Sequence, residues 1–478
     1  MVSLVAAFNT EEVIRAIGGQ LLHGSPGVKI RRIWTDSRSV RAGDLFVALK
    51  GPTFDGHQYV KDAIAGGAVG AVVKQSAWQK ISHRIGRVAG SPPHVPAMVI
   101  GVKDPLRAYQ DLAAFHRRQF HIPVVAITGS NGKTTTKEMV SHILSKRWRL
   151  LKTQGNLNNS IGVPRTLLGL NRGHEAAVIE MGVDQEGQTT RLCEMAQPAF
   201  GVITNVGADH LEFFGNLEGS ARAKGELLAN LPKDGTVMLN ADDDFFERFS
   251  QEASCPVVSY GFAQKADVRA SDVVFDARGT NFRLHLPHRR RATSIRLRFA
   301  GHHNVSNALA GAAVGYALGV SIEDLAKGLG EVRPAPMRSE IRRWKGITFL
   351  YDCYNANPDS MRAALTLLAS LGRGKRTIAV LGDMRELGAM EDQLHREIGS
   401  FVAHRGFTHF IACGKYGPCF VEGAQKAGMP ANAISQVRSI PHAARLLRKL
   451  ACPGDVILLK ASRGMEIERV LKLMEEGQ

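Results

Sequence analysis

The densest chemistry in the chain lies at Thr128-Gly129-Ser130-Asn131-Gly132-Lys133-Thr134-Thr135-Thr136, directly after the apolar run Val124-Val125-Ala126-Ile127. Glycines at 129 and 132 let successive backbone N–H groups turn toward one anion, and a helix starting near Lys133 adds its N-terminal dipole. In such a loop Lys133 reaches the β- and γ-phosphates of ATP and the Thr134 hydroxyl holds Mg²⁺. Gly129, Ser130, Asn131, Gly132 and Thr135 complete the cradle. The full P-loop pattern has a glycine where Ile127 stands, so this is a shortened form. Its bland alternative is a glycine turn with a surface lysine.

Two more side chains follow apolar runs in the same manner. Glu180 closes Ala176–Ile179, and His210 comes just after Phe200–Asn205. Open α/β sheets bind ligands at such strand ends. A carboxylate and an imidazole there would hold a second Mg²⁺ near the γ-phosphate. Taken singly, each also reads as a solvated loop residue.

These residues need a scaffold, and the hydrophobic pattern supplies one. From 124 onward, strands at Val124–Thr128, Ala176–Met181, Phe200–Asn205 and Thr236–Asn240 alternate with helices, the mark of a mostly parallel sheet. Alternation over 268–299 adds antiparallel strands, and Asn304–Leu318 is a helix of small residues. Prolines at Val332–Pro336 mark a linker, after which strands restart at Ile347–Asp352, Thr377–Leu381, His409–Cys413 and Val456–Lys460. The first hundred residues carry short apolar segments at Asp44–Leu49 and Ala68–Val73. A polar stretch follows from Ala77 to Pro96, including Pro92 and Pro93, and then a helix at Pro105–Phe120. The expected fold is α/β in three domains: a small N-terminal α/β domain (1–100), a central P-loop ATPase-like domain (101–332) and a C-terminal Rossmann-like domain (333–478).

Composition narrows the function classes. At 478 residues, with 44% apolar and 22% charged side chains, the chain suits several globular cores. Lys and Arg number 61 against 44 acids, a net +17 that favours anionic ligands. The one dense basic run, His288-Arg289-Arg290-Arg291 with Arg296 and Arg298, alternates like a strand with a solvated face, which disfavours nucleic-acid binding. Six scattered cysteines form no C-x-x-C pair, as expected in a reducing compartment. Glu11, Glu12 and Arg15 interrupt any signal-peptide core, and no run of eighteen apolar residues occurs, so a soluble cytoplasmic protein is expected.

The motifs together resemble the Mur ligases, the ATP-dependent amide ligases of peptidoglycan precursor assembly, over essentially the whole chain. The Thr-Gly-Ser-Asn-Gly-Lys-Thr loop is similar to their ATP site. Thr204-Asn205-Val206-Gly207-x-x-His210 and Gly301-His302-His303-Asn304-x-x-Asn307 resemble their metal and adenine segments. Pro336-Met337-Arg338-x-Glu340 and Tyr351-Asp352 resemble their ribose-contacting elements.

Within the family, Asp352-Cys353-Tyr354-Asn355-Ala356-Asn357-Pro358 and Leu381-Gly382-Asp383-Met384-x-Glu386-Leu387-Gly388 resemble the subgroup that adds D-alanyl-D-alanine to UDP-N-acetylmuramoyl-tripeptide. Asp36-Ser37-Arg38-x-Val40-x-x-Gly43-Asp44-Leu45-Phe46 with Phe54-Asp55-Gly56-His57 is similar to a UDP-binding domain shared with the preceding, tripeptide-forming ligase. That enzyme's Asp-Asn-Pro-Arg motif is absent here.

The resemblance implies an acyl phosphate made from ATP, then attack by the dipeptide amine, with Lys133, His210 and Lys224 in catalytic roles and two Mg²⁺ placed by Thr134, Glu180 and His210. A monomer is expected. Lys224 matches a family lysine that can be carbamylated, although spacing alone reads it as an exposed helical lysine. Asn304 and Asn307 would meet adenine, with helix capping as the plain alternative. Arg338 and Asp352 would meet the ribose, or else serve as a rim arginine and a helix cap. Asn355 and Asn357 would lie near the nucleotide or dipeptide, though an Asx turn before Pro358 explains them too. Ser37 and Arg38 would bind the UDP diphosphate, or form a solvated turn. Two other readings stay open: a folylpolyglutamate-synthetase-like or cyanophycin-type ligase, and a P-loop switch or nucleic-acid-dependent NTPase.

Overall fold

The computed structural model describes residues 8–85 and 97–476, which fall into two compact units. The first comprises residues up to 126 with 148–181 and 190–199; the second holds 127–147, 182–189 and 200–478. Of the polar stretch Ala77–Pro96, Trp78–Ile85 is a helix, while Pro92 and Pro93 lie outside the described residues.

In the first unit a five-stranded sheet runs in the order Gln20–His23, Met98–Val102, Gly70–Lys74, Asp44–Val47, Arg32–Trp34, parallel except for the first pair. Apolar residues cover both faces, as a parallel sheet requires. Leu45, Val47, Val72 and Ile100 join one core with Tyr109 and Leu112, and Phe46, Ala71, Val73 and Val99 join another with Ala63 and Ile64. Tyr109 and Leu112 belong to the helix Pro105–Arg117, started by Pro105 and by Asp104, whose carboxylate accepts the Leu106 amide at 2.9 Å. The N-terminal core therefore continues past the boundary expected at residue 100, because that boundary cuts the strand Met98–Val102. The unit also contains Ala176–Glu180, paired in parallel with Leu150–Lys152.

In the second unit, Phe200–Ile203, Thr236–Asn240, Val257–Gly261 and Val268–Asp276 pair in parallel in that order, and Gly279–His285 and Thr293–Leu297 extend them as antiparallel strands. In the last of these Ser294 and Arg296 face solvent while Ile295 and Leu297 are buried, so the basic stripe is a solvated face. The helix Lys133–Leu144 lies against His302–Ala317 and Ile322–Glu331. Gly328 makes the second contact possible: a Cβ there would stand 2.7 Å from the Ile143 Cα.

The C-terminal sheet runs Glu340–Trp344, Ile347–Tyr351, Val456–Lys460, Thr377–Gly382, His409–Cys413, Ile434–Val437, parallel but for the first hairpin. The last strand in sequence, Val456–Lys460, slots between two earlier ones. That reversal of strand order opens a crevice at the strands' carboxyl ends. Among the described residues no helix is long and apolar enough to cross a membrane.

Candidate active site

The phosphate loop is held by the strand end beside it. Thr204 Oγ1 donates to the Asn131 carbonyl at 2.6 Å, Asn205 Nδ2 donates to the same carbonyl at 3.0 Å, and Asn205 Oδ1 accepts the Asn131 amide at 2.9 Å. The Ser130 amide donates to the Asn205 carbonyl at 3.0 Å. Both loop glycines have positive φ, 133° at Gly129 and 81° at Gly132. Neither has room for a side chain: a Cβ would fall 2.0 Å from Thr204 Oγ1 at the first and 2.2 Å from Asn307 Oδ1 at the second. The Lys133 ammonium folds back onto the Gly129 and Ser130 carbonyls, and Thr134 is buried on the first helical turn.

Asn304 and Asn307 do not cap their helix with their side chains, contrary to the plain alternative. Asn304 Nδ2 donates to the Ala300 carbonyl at 2.9 Å and contacts the His303 ring, while Asn307 Oδ1 accepts from the Thr136 hydroxyl at 3.3 Å. Asn307 thus packs directly on the phosphate loop.

Sequence reasoning passed over Asp209, although it stands next to His210. Its carboxylate accepts from Ser130 Oγ at 2.6 Å, Ser220 Oγ at 3.1 Å and Lys224 Nζ at 3.0 Å. Burial would raise its pKa, but the charges of Lys224 and Lys133 and the Ser130 hydroxyl outweigh this and hold it below the usual carboxylate range. Lys224 is 1% exposed, which overturns the reading of a solvated helical lysine. It also donates to Ser220 Oγ at 2.7 Å and lies 4.8 Å from the Phe214 ring centroid. The counter-charge that permits this burial comes from another segment, beyond the reach of local spacing.

The C-terminal sheet reaches the same loops. Asn357 caps the helix Pro358–Leu371 through the Ser360 amide, as an Asx turn predicts, and its Nδ2 also donates to Asn131 Oδ1 at 3.0 Å. Asp359 accepts the Ala208 amide at 3.1 Å. Glu386 brings Oε2 to 2.6 Å from His210 Nδ1, a hydrogen-bonding distance at an angle outside hydrogen-bond geometry.

Asp352 is no helix cap. It accepts from Lys460 Nζ at 2.6 Å and from the Ser339 amide at 2.9 Å, and Lys460 outweighs burial in holding its pKa down. Arg338 stacks on Tyr354 with its guanidinium 3.8 Å from the ring centroid. The Asn355 carbonyl accepts from Lys460 at 2.9 Å, while its own side chain is exposed. Beside Asp352, burial, assisted by Lys460 and His302, pushes the His303 imidazole down to about 4.

The remaining expected residues belong to the first unit. Glu180 is buried, not solvated: its backbone amide donates to Thr153 Oγ1 at 3.0 Å and Oε1 accepts from Asn158 Nδ2 at 2.8 Å. Ser37 and Arg38 sit in a short 3₁₀ turn, with the Arg38 side chain 87% exposed and paired to Asp36 at 2.9 Å. Of the neighbouring motif, Asp44 instead builds the domain, accepting from Arg32 Nε at 2.9 Å and from the Arg41 amide at 2.7 Å.

Three family models match the chain: the Mur ligase family catalytic domain over residues 29–117, the Mur ligase middle domain over 127–315, and the Mur ligase glutamate ligase domain over 337–463. A UDP-N-acetylmuramoyl-tripeptide–D-alanyl-D-alanine ligase from Bacillus subtilis is 36% identical over 450 residues, covering 94% of each chain. Among solved structures, a MurF from Acinetobacter baumannii is 33% identical and superposes with a TM-score of 0.87 over 99% of this chain and all of the other. The MurF ligase of Thermotoga maritima, in complex with ADP, is 27% identical with a TM-score of 0.79, over 93% of this chain and 97% of its own.

Proposed function

The chain belongs to the Mur ligase family, and we propose that it joins D-alanyl-D-alanine to UDP-N-acetylmuramoyl-tripeptide, converting ATP to ADP and phosphate. The observation that carries the reading is agreement along the whole chain with a relative of that name, over 94% of both. A folylpolyglutamate-synthetase-like or cyanophycin-type ligase is not favoured.

The reaction needs two displacements. The tripeptide's terminal carboxylate attacks the γ-phosphorus of ATP, the bond to the bridging oxygen breaks, and ADP leaves an acyl phosphate. The dipeptide's neutral amine then attacks the acyl carbon, and the tetrahedral intermediate expels phosphate as the amine loses its proton. Positioning and charge neutralisation carry most of such catalysis. Lys133, held on loop carbonyls, has only to swing from those oxygens to phosphoryl oxygens. The loop from Gly129 to Thr135 meets the phosphates already set in place, because Thr204 and Asn205 fix it through Ser130 and Asn131. Asn304 and Asn307 flank the adenine, and Arg338 and Asp352 take the ribose as the C-terminal domain closes. Asn355 and Asn357 sit near the nucleotide or the incoming dipeptide.

Thr134 and His210 of the second unit, and Glu180 of the first, each carry a donor of the kind Mg²⁺ accepts and are the proposed ligands. Among the described residues there is no group of three His, Cys, Asp or Glu that could hold a metal ion. When bound, Mg²⁺ neutralises charge on the transferring phosphoryl group. A carbamate on Lys224 does not fit the present arrangement. It would set an anion beside buried Asp209 in place of the ammonium that Asp209 and Ser220 hold.

The N-terminal sheet, with Ser37 and Arg38, takes the UDP moiety; 101–332 carries ATP, and 333–478 closes on it. The working protein is a cytoplasmic monomer. The test is phosphate release from ATP with UDP-muramoyl-tripeptide, comparing D-alanyl-D-alanine with D-alanine and glutamate. Turnover with the dipeptide alone is expected; turnover only with glutamate would overturn the assignment.

A further inference from the structure

Glu386 has no part in the reaction as described, yet its placement is unusually constrained. It has φ 63° and its partner His210 has φ 51°, so two non-glycine residues in the left-handed region face each other across 2.6 Å. Folded chains keep such conformations only where the surroundings over-determine them. Here they do. The Glu212 amide donates to the Glu386 carbonyl at 3.1 Å. Leu211 shares one apolar core with Met384 and Leu387. Gly388, at φ 60°, comes so near that a Cβ would be 3.1 Å from the Glu212 Cα. Backbone and core thus dock the Leu381–Gly388 loop onto the His210 loop, with the carboxylate and imidazole between them.

We propose that Glu386 is a positioning residue that the C-terminal domain delivers to His210. Its carboxylate accepts the Nδ1–H and fixes the ring, so that Nε2 would be the nitrogen left to meet a phosphate-bound cation. Ligand-free contacts of this kind are often misaligned and tighten in the complex. His210 therefore reaches its working orientation only when the loop is docked, which ties imidazole geometry to domain closure. A bare surface ion pair would not require strain on both partners. The proposal rests on the ligase reading for its kinetic consequence, but not for the contact itself.

The test is a double-mutant cycle on the full chain, with Glu386→Ala, Glu386→Asp and His210→Ala. Glu386→Ala is expected to lower kcat about 10–100-fold while KM for ATP stays within about threefold. Glu386→Asp should recover part of the loss, and Glu386→Ala should cost less than about twofold more in the His210→Ala background. A kcat within about twofold of the parent, or equal losses with and without His210, would overturn it. Imidazole ¹⁵N spectra give a readout independent of turnover. The His210 Nδ1 resonance, identified by its loss in His210→Ala, should move in Glu386→Gln, and an unmoved resonance also overturns the proposal. A parent enzyme inactive with the dipeptide but showing that shift would sink the ligase reading alone.

Discussion

Asp209 and Glu386 are both carboxylates set against a basic side chain from another segment, but they are built in opposite ways. The Asp209 side chain is 7% exposed, accepts three hydrogen bonds and sits beneath the phosphate loop. That of Glu386 is 47% exposed and makes one close contact at a poor angle. Removing either partner of the first pair strands a buried charge, whereas the second, half exposed to water, adds little to stability by itself. On the ligase reading proposed above, the first is in place before ATP arrives and the second is supplied by the docked C-terminal loop. A fixed cradle and a contact completed only by the docked C-terminal loop suit a domain that shuts on its substrates.

That contrast can be broken in four places. Lys133→Ala should lower dipeptide-dependent phosphate release by at least about a thousandfold while leaving the circular dichroism unchanged; retained turnover would remove the loop from the reaction. Asp209→Asn should cost about 3–5 kcal/mol in urea unfolding, because Lys224 then keeps a buried charge without its carboxylate. A loss under about 1 kcal/mol would mean that the cradle is not preorganised. The third test is pH.

Burial holds His303 at about 4 against an ordinary value of 6.5, so below 6.5 the unfolded chain takes up a proton that the native state refuses. This contribution is complete above pH 6.5 and fades as pH falls to 4, by on the order of 3 kcal/mol. His303→Gln should flatten that slope in unfolding measurements, and an unchanged slope would assign it elsewhere. Smallest of all, Glu386→Gln should change unfolding by less than about 1 kcal/mol. A larger loss would erase the distinction between the two carboxylates.

Much of this was legible in the sequence, for reasons that also explain the misses. Val124–Thr128, Thr236–Asn240, His409–Cys413 and Val456–Lys460 fall on the residues expected, because strands buried on both faces must be apolar throughout and stop at polar ends. Glu340–Trp344 escaped notice as a strand: it is an edge hairpin partner whose sequence, Glu-Ile-Arg-Arg-Trp, is made into a strand only by Ile347–Tyr351 alongside it. The loop residues were found because their spacing is a local matter. Asp209, Glu386 in its contact and the burial of Lys224 were not, since each is defined by a partner far along the chain. Side chains serving the site through another residue leave no local signature, whereas those meant to touch phosphate do.

The close approach at Gly328 has a mechanical consequence. The helix that begins with Lys133 is keyed to its neighbour at Ile143, where there is no slack for a methyl group, so it cannot roll or slide alone. That neighbour, Ile322–Glu331, runs straight into Val332 and the prolines at 334 and 336. The helix that starts at Lys133 and the approach to the C-terminal domain are therefore joined through one close-packed contact.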